Sequence, residues 1–276
     1  MFKGFYTAAS GMIAQQRRTE LLTNNMANAE TPGFKSDQST IRSFPDMLMS
    51  AIDKEKIPTE DGLAVQTADT LGAVNAGLYM QEISANQMQG QLIQTDLTTD
   101  IALINGTLPV NEEGIQAAVF YRLQEENSEA QVYTRNGNFT LDGAGFLTAA
   151  DGKYVLSAND EPIQVQSQNF RVNDRGQVFE NDVLVAQIGV SVAENPDAQL
   201  LKQQNGVYYT ANGENLQAAD PNTYSMQQSF LEQSNVDAAK TMTDLMTAYR
   251  AFEANQKVLT AYDTSMQKAV SEIGRV

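Results

Sequence analysis

Apolar residues recur in two different periods along the chain. Near the amino end, Phe5, Ala8, Met12, Gln15, Thr19, Leu22, Met26 and Ala29 are spaced by alternating steps of three and four. This is a heptad seam that turns polar in its middle, and it predicts a helix. Thr31-Pro32-Gly33 ends it: Pro32 biases Thr31 away from helical dihedrals, and Gly33 supplies turn freedom. Near the carboxyl end, Leu245, Ala248, Phe252, Asn255, Leu259, Tyr262, Met266, Ala269 and Ile273 keep the same alternation, with Asn255 the one polar member. A buried Asn in such a seam costs stability but fixes register and partner number. Neither Pro nor Gly interrupts residues 236–273, so a helix of roughly 55 Å is predicted. It is too long for one small core to cover and calls for a helical partner, for which the N-terminal seam is the candidate, parallel or antiparallel. The alternative is two amphipathic helices packed on the middle of the chain.

Between the ends the period changes. Val119–Leu123, Gln131–Arg135, Asn138–Leu141, Tyr154–Leu156, Phe170–Val172, Gln177–Phe179 and Val183–Val192 are short β-rich runs. Turn formers separate them, among them Asn136-Gly137, Asp142-Gly143, Asp151-Gly152, Arg175-Gly176, Asn205-Gly206 and Asn212-Gly213. Residues 101–224 therefore read as an all-β domain, a small antiparallel barrel or sandwich. Residues 46–100 are polar and mixed. The run Asp53–Gly62 reads as an exposed charged loop, and the stretch as an extended arm that orders on assembly. The fold class expected is α+β: long N- and C-terminal helices (1–45 with 225–276) pairing as a coiled coil, with an inserted all-β domain.

Charge sharpens this division. The net charge of the 276 residues is −16, but residues 1–45 carry +2, residues 46–230 carry −17 and residues 231–276 carry −1. Near-neutral ends can be buried between many identical copies without like-charge repulsion, while an acidic insert keeps an assembly soluble. The alternative is that the split is chance in an acidic protein. No basic patch is present to displace counterions, which argues against nucleic-acid binding.

Composition removes much chemistry. Cys, His and Trp are absent. That leaves no thiolate nucleophile, Ser-His-Asp triad, disulfide or zinc site of the usual ligands. Ser265-Met266-Gln267-Lys268 matches the S-x-x-K nucleophile pattern, but it lies on the C-terminal heptads without its partner motifs. The twenty-five acids of residues 46–230 could supply a glycosidase pair by chance alone. Neither a Walker loop nor an EF-hand loop occurs. Met242, Met246 and Met266 read as core or interface residues, and Asn105-Gly106-Thr107 as a turn. The first residues lack the apolar region and cleavage site of a signal peptide, and no apolar run of about 18 residues suggests a membrane span. The expectation is a soluble, unprocessed, non-enzymatic protein with no cofactor, metal or small-molecule substrate.

Three strings carry a family resemblance. Ser10-Gly11-Met12 with Thr23-Asn24-Asn25-Met26-Ala27-Asn28-Ala29-Glu30-Thr31-Pro32-Gly33-Phe34-Lys35 resembles the N-terminal signature of the bacterial flagellar basal-body rod and hook family. Tyr133-Thr134-Arg135-Asn136-Gly137-Asn138-Phe139-Thr140-Leu141-Asp142, with Gly145-Phe146-Leu147, is similar to that family's central β-domain motif. Phe230–Asp237 and Tyr249–Lys257 resemble its terminal segment. One departure stands out. The Gly-Phe-Phe element that usually follows a D-x-A-I-x-G stretch is replaced here by Thr107-Leu108-Pro109-Val110.

The resemblance implies a structural subunit, most like the distal rod protein or its proximal paralogue. It implies export without a cleaved signal through the flagellar type III apparatus, and helical polymerisation into a hollow tube with the terminal helices as its lining. Copies of itself, adjacent rod and hook proteins and the export apparatus are the expected partners, and the basal body outside the cytoplasm the expected place. The residues expected to carry assembly are Ser10, Gly11, Asn24, Asn25, Asn28, Pro32, Gly33, Phe34, Leu245, Phe252, Asn255, Leu259, Tyr262 and Met266. Asn28 is expected to cap its helix, whereas Asn24 and Asn25 are expected to reach a neighbouring subunit. The rival readings are a secreted adhesion or binding module and a cell-wall glycosidase.

Overall fold

The computed structural model describes residues 2–45, 47–56, 64–75, 77–111, 114–124, 130–167, 169–202 and 206–273. The chain divides into two compact units. One comprises residues 1–23, 39–83 and 242–276, and the other residues 24–38 and 84–241.

In the first unit the N-terminal helix, Phe2–Ala27, supplies all but its last turn. The C-terminal helix, Ala238–Lys268, supplies all but its first, and it ends in a π-helical turn, Ala269–Ile273. Neither is long and apolar enough to cross a membrane. The helix starts follow from sequence. Asp237 is the N-cap of the C-terminal helix, its carboxylate accepting from the Lys240 N–H at 3.0 Å. Residues 47–56 and 64–74 are not a loop. They pair as a long antiparallel ribbon, from Met47 opposite Val74 to Lys56 opposite Ala64. The remainder of the charged run, residues 57–62, lies outside the described residues. Antiparallel pairing satisfies the backbone without a helix, which a run alternating Asp53, Lys54, Glu55 and Lys56 does not oppose. At the root of the ribbon, Asn75 donates to the Phe44 carbonyl at 2.8 Å and the Phe44 and Tyr79 rings lie 5.2 Å apart.

The second unit is β. Its main sheet runs in the order Leu200–Lys202, Val207–Thr210, Gln131–Thr134, Ala118–Gln124, Tyr154–Val155, Leu147–Ala149 and Phe139–Leu141. Val190–Ala193 also pairs with Ala118–Gln124. A three-stranded sheet is built from Phe170–Val172, Gln177–Glu180 and Val183–Gln187. Ala118–Gln124 is buried along nearly its whole length, as expected of a central strand; its one charge, Arg122, is buried with Ser191 and Asp160 as hydrogen-bond partners. The expected strand Val183–Val192 is two strands, parted at Ile188-Gly189. Gly189 donates to the Leu156 carbonyl at 2.8 Å, an approach that a side chain would obstruct.

The β unit extends past the expected borders of 101 and 224. Ile101–Asn105 pairs with Tyr224–Gln228, and Leu92–Gln94 with Phe230–Glu232. The unit therefore needs residues on both sides of the insert. Asn136-Gly137 makes no hairpin turn: the Gly137 carbonyl accepts from the Ile101 N–H at 3.0 Å, a backbone crossing with no room for a Cβ. Where the aromatic pair is missing, Leu108 fills a place in the core with Ile101, Leu103, Tyr121 and Phe139, while Val110 is exposed.

Candidate functional site

Two sets of sequence-predicted residues behave differently. The heptad positions of the helices form one. Along the C-terminal helix Ala248 is buried and Leu245, Phe252, Asn255, Leu259 and Met266 are half-buried, while most of their neighbours are exposed. Tyr262 is 38 % exposed. Of the eight predicted N-terminal seam positions, the seven from Phe5 to Met26 lie on the helix and are buried or half-buried, while Ala29 lies past its end at Ala27; Ala8, Gly11 and Ala14 are buried.

The helices meet at glycines. A Cβ on Gly11 would stand 3.0 Å from the Asn255 amide nitrogen, and one on Gly4 would collide with the Tyr262 hydroxyl. From 4 to 11 is seven residues forward, and from 262 to 255 is seven back. The helices therefore run antiparallel, and the contacts repeat at the heptad step. The glycines leave room for the Tyr262 and Asn255 side chains of the facing helix. Glycine otherwise weakens a helix interior by about 0.5–1 kcal/mol. The seam periodicity did not single out Gly4. Ser10 is bound within the chain: its hydroxyl donates to the Thr7 carbonyl at 2.9 Å and accepts from the Leu78 N–H at 3.2 Å. Ser265 and Lys268, the S-x-x-K pair, are both exposed on the helix.

The second set lies in the β unit, around an ion cluster that the sequence reading missed. Glu232 is 2 % exposed. Its Oε1 accepts from Lys35 Nζ at 2.6 Å and the Gly90 N–H at 2.9 Å, and its Oε2 accepts from Arg135 Nε at 2.8 Å. The rest of the Arg135 guanidinium donates to the carbonyls of Val119 and Leu103, each at 2.7 Å. Lys35 also donates to the Met88 carbonyl at 2.9 Å. Two cations and one carboxylate are thus taken out of water together, with fixed hydrogen bonds in place of hydration.

The electrostatics follow. Burial, then the nearby Arg135 charge, lowers the Lys35 pKa to about 8 against the pull of Glu232. Burial pushes the Glu232 carboxyl upward, but Arg135 and Lys35 outweigh it and hold the group below its ordinary value.

Pro32, Gly33 and Phe34 belong to this cluster's surroundings. Gly33 has φ +70°, and a Cβ there would lie within 2.5–2.7 Å of the Arg135-Asn136 peptide. Its N–H donates to the Glu232 carbonyl at 2.7 Å. Phe34 is 2 % exposed beneath Lys202, whose ammonium stands 3.8 Å from the ring centroid and donates to Asp37 Oδ1 at 2.8 Å. Asn25 corrects the expectation that its amide faces a neighbouring copy. It is buried, and it donates to the Asp37 carbonyl at 2.8 Å and accepts from the Asp37 N–H at 2.9 Å. Asn24 is exposed, and Asn28 caps the helix end by donating to the Asn24 carbonyl at 2.9 Å. Asn235 completes the arrangement, accepting from the Ser36 N–H at 2.8 Å and donating to the Asn86 carbonyl at 2.8 Å. The three motif strings, far apart in sequence, thus meet through Lys35, Arg135 and Glu232.

Profiles of known families fall on the same three regions. "Flagella basal body rod protein" matches residues 5–35, the "Flagellar hook protein FlgE/F/G D1 domain" residues 114–180, and "Flagellar basal body rod FlgEFG protein C-terminal" residues 227–272. The flagellar hook-basal body complex protein FlhO of Bacillus subtilis (strain 168) is 44% identical over the whole of both chains. The chain belongs to the flagellar basal-body rod and hook family. The flagellar basal-body rod protein FlgG of the same organism is 28% identical over 98% of this chain and 99% of its own. That of Agrobacterium fabrum (strain C58 / ATCC 33970) is 30% identical over 93% and 94%. Members of this family are structural components rather than enzymes. The three profiles include the three members of the ion cluster: Lys35 is the last residue of the first, Arg135 lies within the second and Glu232 within the third.

Proposed function

We propose that this protein is a structural subunit of the flagellar rod, and that its terminal helices pair as an antiparallel coiled coil through which copies assemble into a hollow drive shaft. The antiparallel, seven-residue step between Gly4–Tyr262 and Gly11–Asn255 carries the reading. Family membership supports the polymer. Leu245, Phe252, Asn255, Leu259, Tyr262 and Met266 are the seam, with Gly11 facing Asn255. Exposed Tyr6, Ile13, Met242, Met246 and Tyr249 remain to be covered by neighbouring copies. Burying them contributes at about 25 cal/mol per Å², less the cost of ordering. Asn24 faces a neighbour, whereas Asn25, Asn28, Pro32, Gly33 and Phe34 hold the β unit together, and Ser10 holds the ribbon's root. Further partners are adjacent rod and hook proteins and the flagellar export apparatus, and the subunit works in the basal body outside the cytoplasm.

Deleting residues 236–276 tests this. The truncated chain keeps Glu232 and should remain a soluble, folded β unit that forms no polymer. A truncated chain that still polymerises would sink the reading.

A further inference from the structure

The β unit carries an apolar run that its own fold does not use. Val183, Leu184 and Val185 are 64 %, 52 % and 43 % exposed. They lie on the outer strand of the three-stranded sheet, at its free edge. Leu184 pairs with Phe179 and Ala186 with Val178, so Val185 is an extra, bulged residue. A bulge re-aims side chains and blunts an edge against indiscriminate strand addition. What it leaves is a side-chain surface.

The outer face of the sheet continues that surface. Phe170, Val172 and Val178 point into the core, so the alternate positions Arg171 and Phe179 face outward. Arg171 pairs with Phe179, which pairs with Leu184, so the three form a row across the sheet. Arg175, in the turn before Gln177, lies by the far end of the edge strand, where Gln187 donates to its carbonyl.

Charge says what covers this face. Among the described residues of this unit, Lys35, Arg122, Arg135, Lys153 and Lys202 are all in ion pairs. Arg171, Arg175 and, on the first turn of the C-terminal helix, Lys240 are exposed and in none, although Asp174, Glu180 and Asp182 belong to the same sheet region as the two arginines. An acidic chain has therefore placed two uncommitted cations beside its exposed apolar run. A surface of that kind is complementary to an apolar-flanked acidic one, and residues 46–230, at −17, make another copy of this chain such a surface.

We propose that the Arg171–Phe179–Leu184 face, with Val183 and Val185 at its edge, docks on the acidic β unit of a second copy. Such a contact joins two different patches and so propagates head to tail, as a helical polymer requires. The proposal rests on the assembly reading above and adds to it an outer contact distinct from the helices.

The test uses the full chain with a photoreactive benzoylphenylalanine in place of Leu184. Isotopically heavy and light copies are mixed, and helix protection is read by hydrogen exchange in the same sample. Heavy-light cross-links from position 184 to acidic segments of residues 84–241 are expected. They should fall about tenfold in the Arg171→Glu, Arg175→Glu double variant, as expected when interfacial cations become repulsive, with the thermal melt of the monomer unchanged. Protected helices without heavy-light cross-links at 184 would overturn this surface and leave the assembly reading intact. Cross-links confined to a different protein added to the sample would overturn the second copy as occupant. Unprotected helices and no cross-links would overturn both.

Discussion

Lys35 and Glu232 lie 197 residues apart in sequence, yet their charged atoms stand 2.6 Å from one another inside the β unit. Arg135, from the middle of the insert, completes the contact at 2.8 Å. The β unit is therefore closed by residues from both flanks of the insert. A chain cannot finish it until residue 232 is in place.

Glu232→Gln should cost about 3–5 kcal/mol of unfolding free energy, because it leaves two buried cations without a counter-charge. Urea titration of the full chain measures this. A loss below about 1 kcal/mol, the scale of exposed pairs, would mean the cluster is not closed to water.

The same cluster sets a pH profile. Lys35 has its pKa lowered to about 8 from 10.5, so between those values the unfolded chain binds the extra proton. By linkage its contribution makes stability rise with pH from about 8 to 10.5. Burial raises the phenols of Tyr121 and Tyr208 above their ordinary value of 10.0, so stability is lost as pH rises beyond that value. On the acid side, Glu232 is held below 4.5; its contribution is present above that value and lost as pH falls through the lowered one. Urea midpoints across pH should rise from 8 toward 10 and then fall. Lys35→Met should remove the rise, and a rise that survives this change would rule Lys35 out as its source.

Gly11→Leu should separate the helices while leaving the β unit intact, since the space at Gly11 is taken by Asn255. Loss of assembly with an unchanged melt of the β unit is expected. Normal assembly by this variant would remove the close helix approach from the account.

A fragment of residues 101–224 should not fold stably. It lacks Lys35, Glu232 and the end of the strand that pairs with Ile101–Asn105. Circular dichroism should show a cooperative transition for the chain ending at 235 and none for 101–224. A cooperative transition in the short fragment would contradict the need for the flanks.

The helices and most strands were legible because their signals are local. Heptad spacing gave both helices, and β-rich runs between turn formers gave Ala118–Gln124 and Gln177–Glu180 within a residue or two. Residues 46–100 read as an extended arm with an exposed charged loop because Asp53–Lys56 has the polarity of a loop, whereas its pairing with Ala64–Thr67 is a property of the backbone. The cluster was hidden for a different reason. Lys35, Arg135 and Glu232 each stood in a quoted motif, but a charged residue reads as exposed until its partners are known. Convergence of the three motifs on one centre was the available signal. Gly33 illustrates the same limit: its turn freedom was readable, but the Arg135-Asn136 peptide against which it packs was not.

The most direct test of the account is hydrogen exchange of the terminal helices, compared between free protein and helical polymer. The account predicts that amides of residues 5–22 and 245–266 exchange more slowly in tubes than in free protein, while the β unit is equally protected in both. Helices equally protected in free protein and polymer, or tubes in which they remain unprotected, would contradict it.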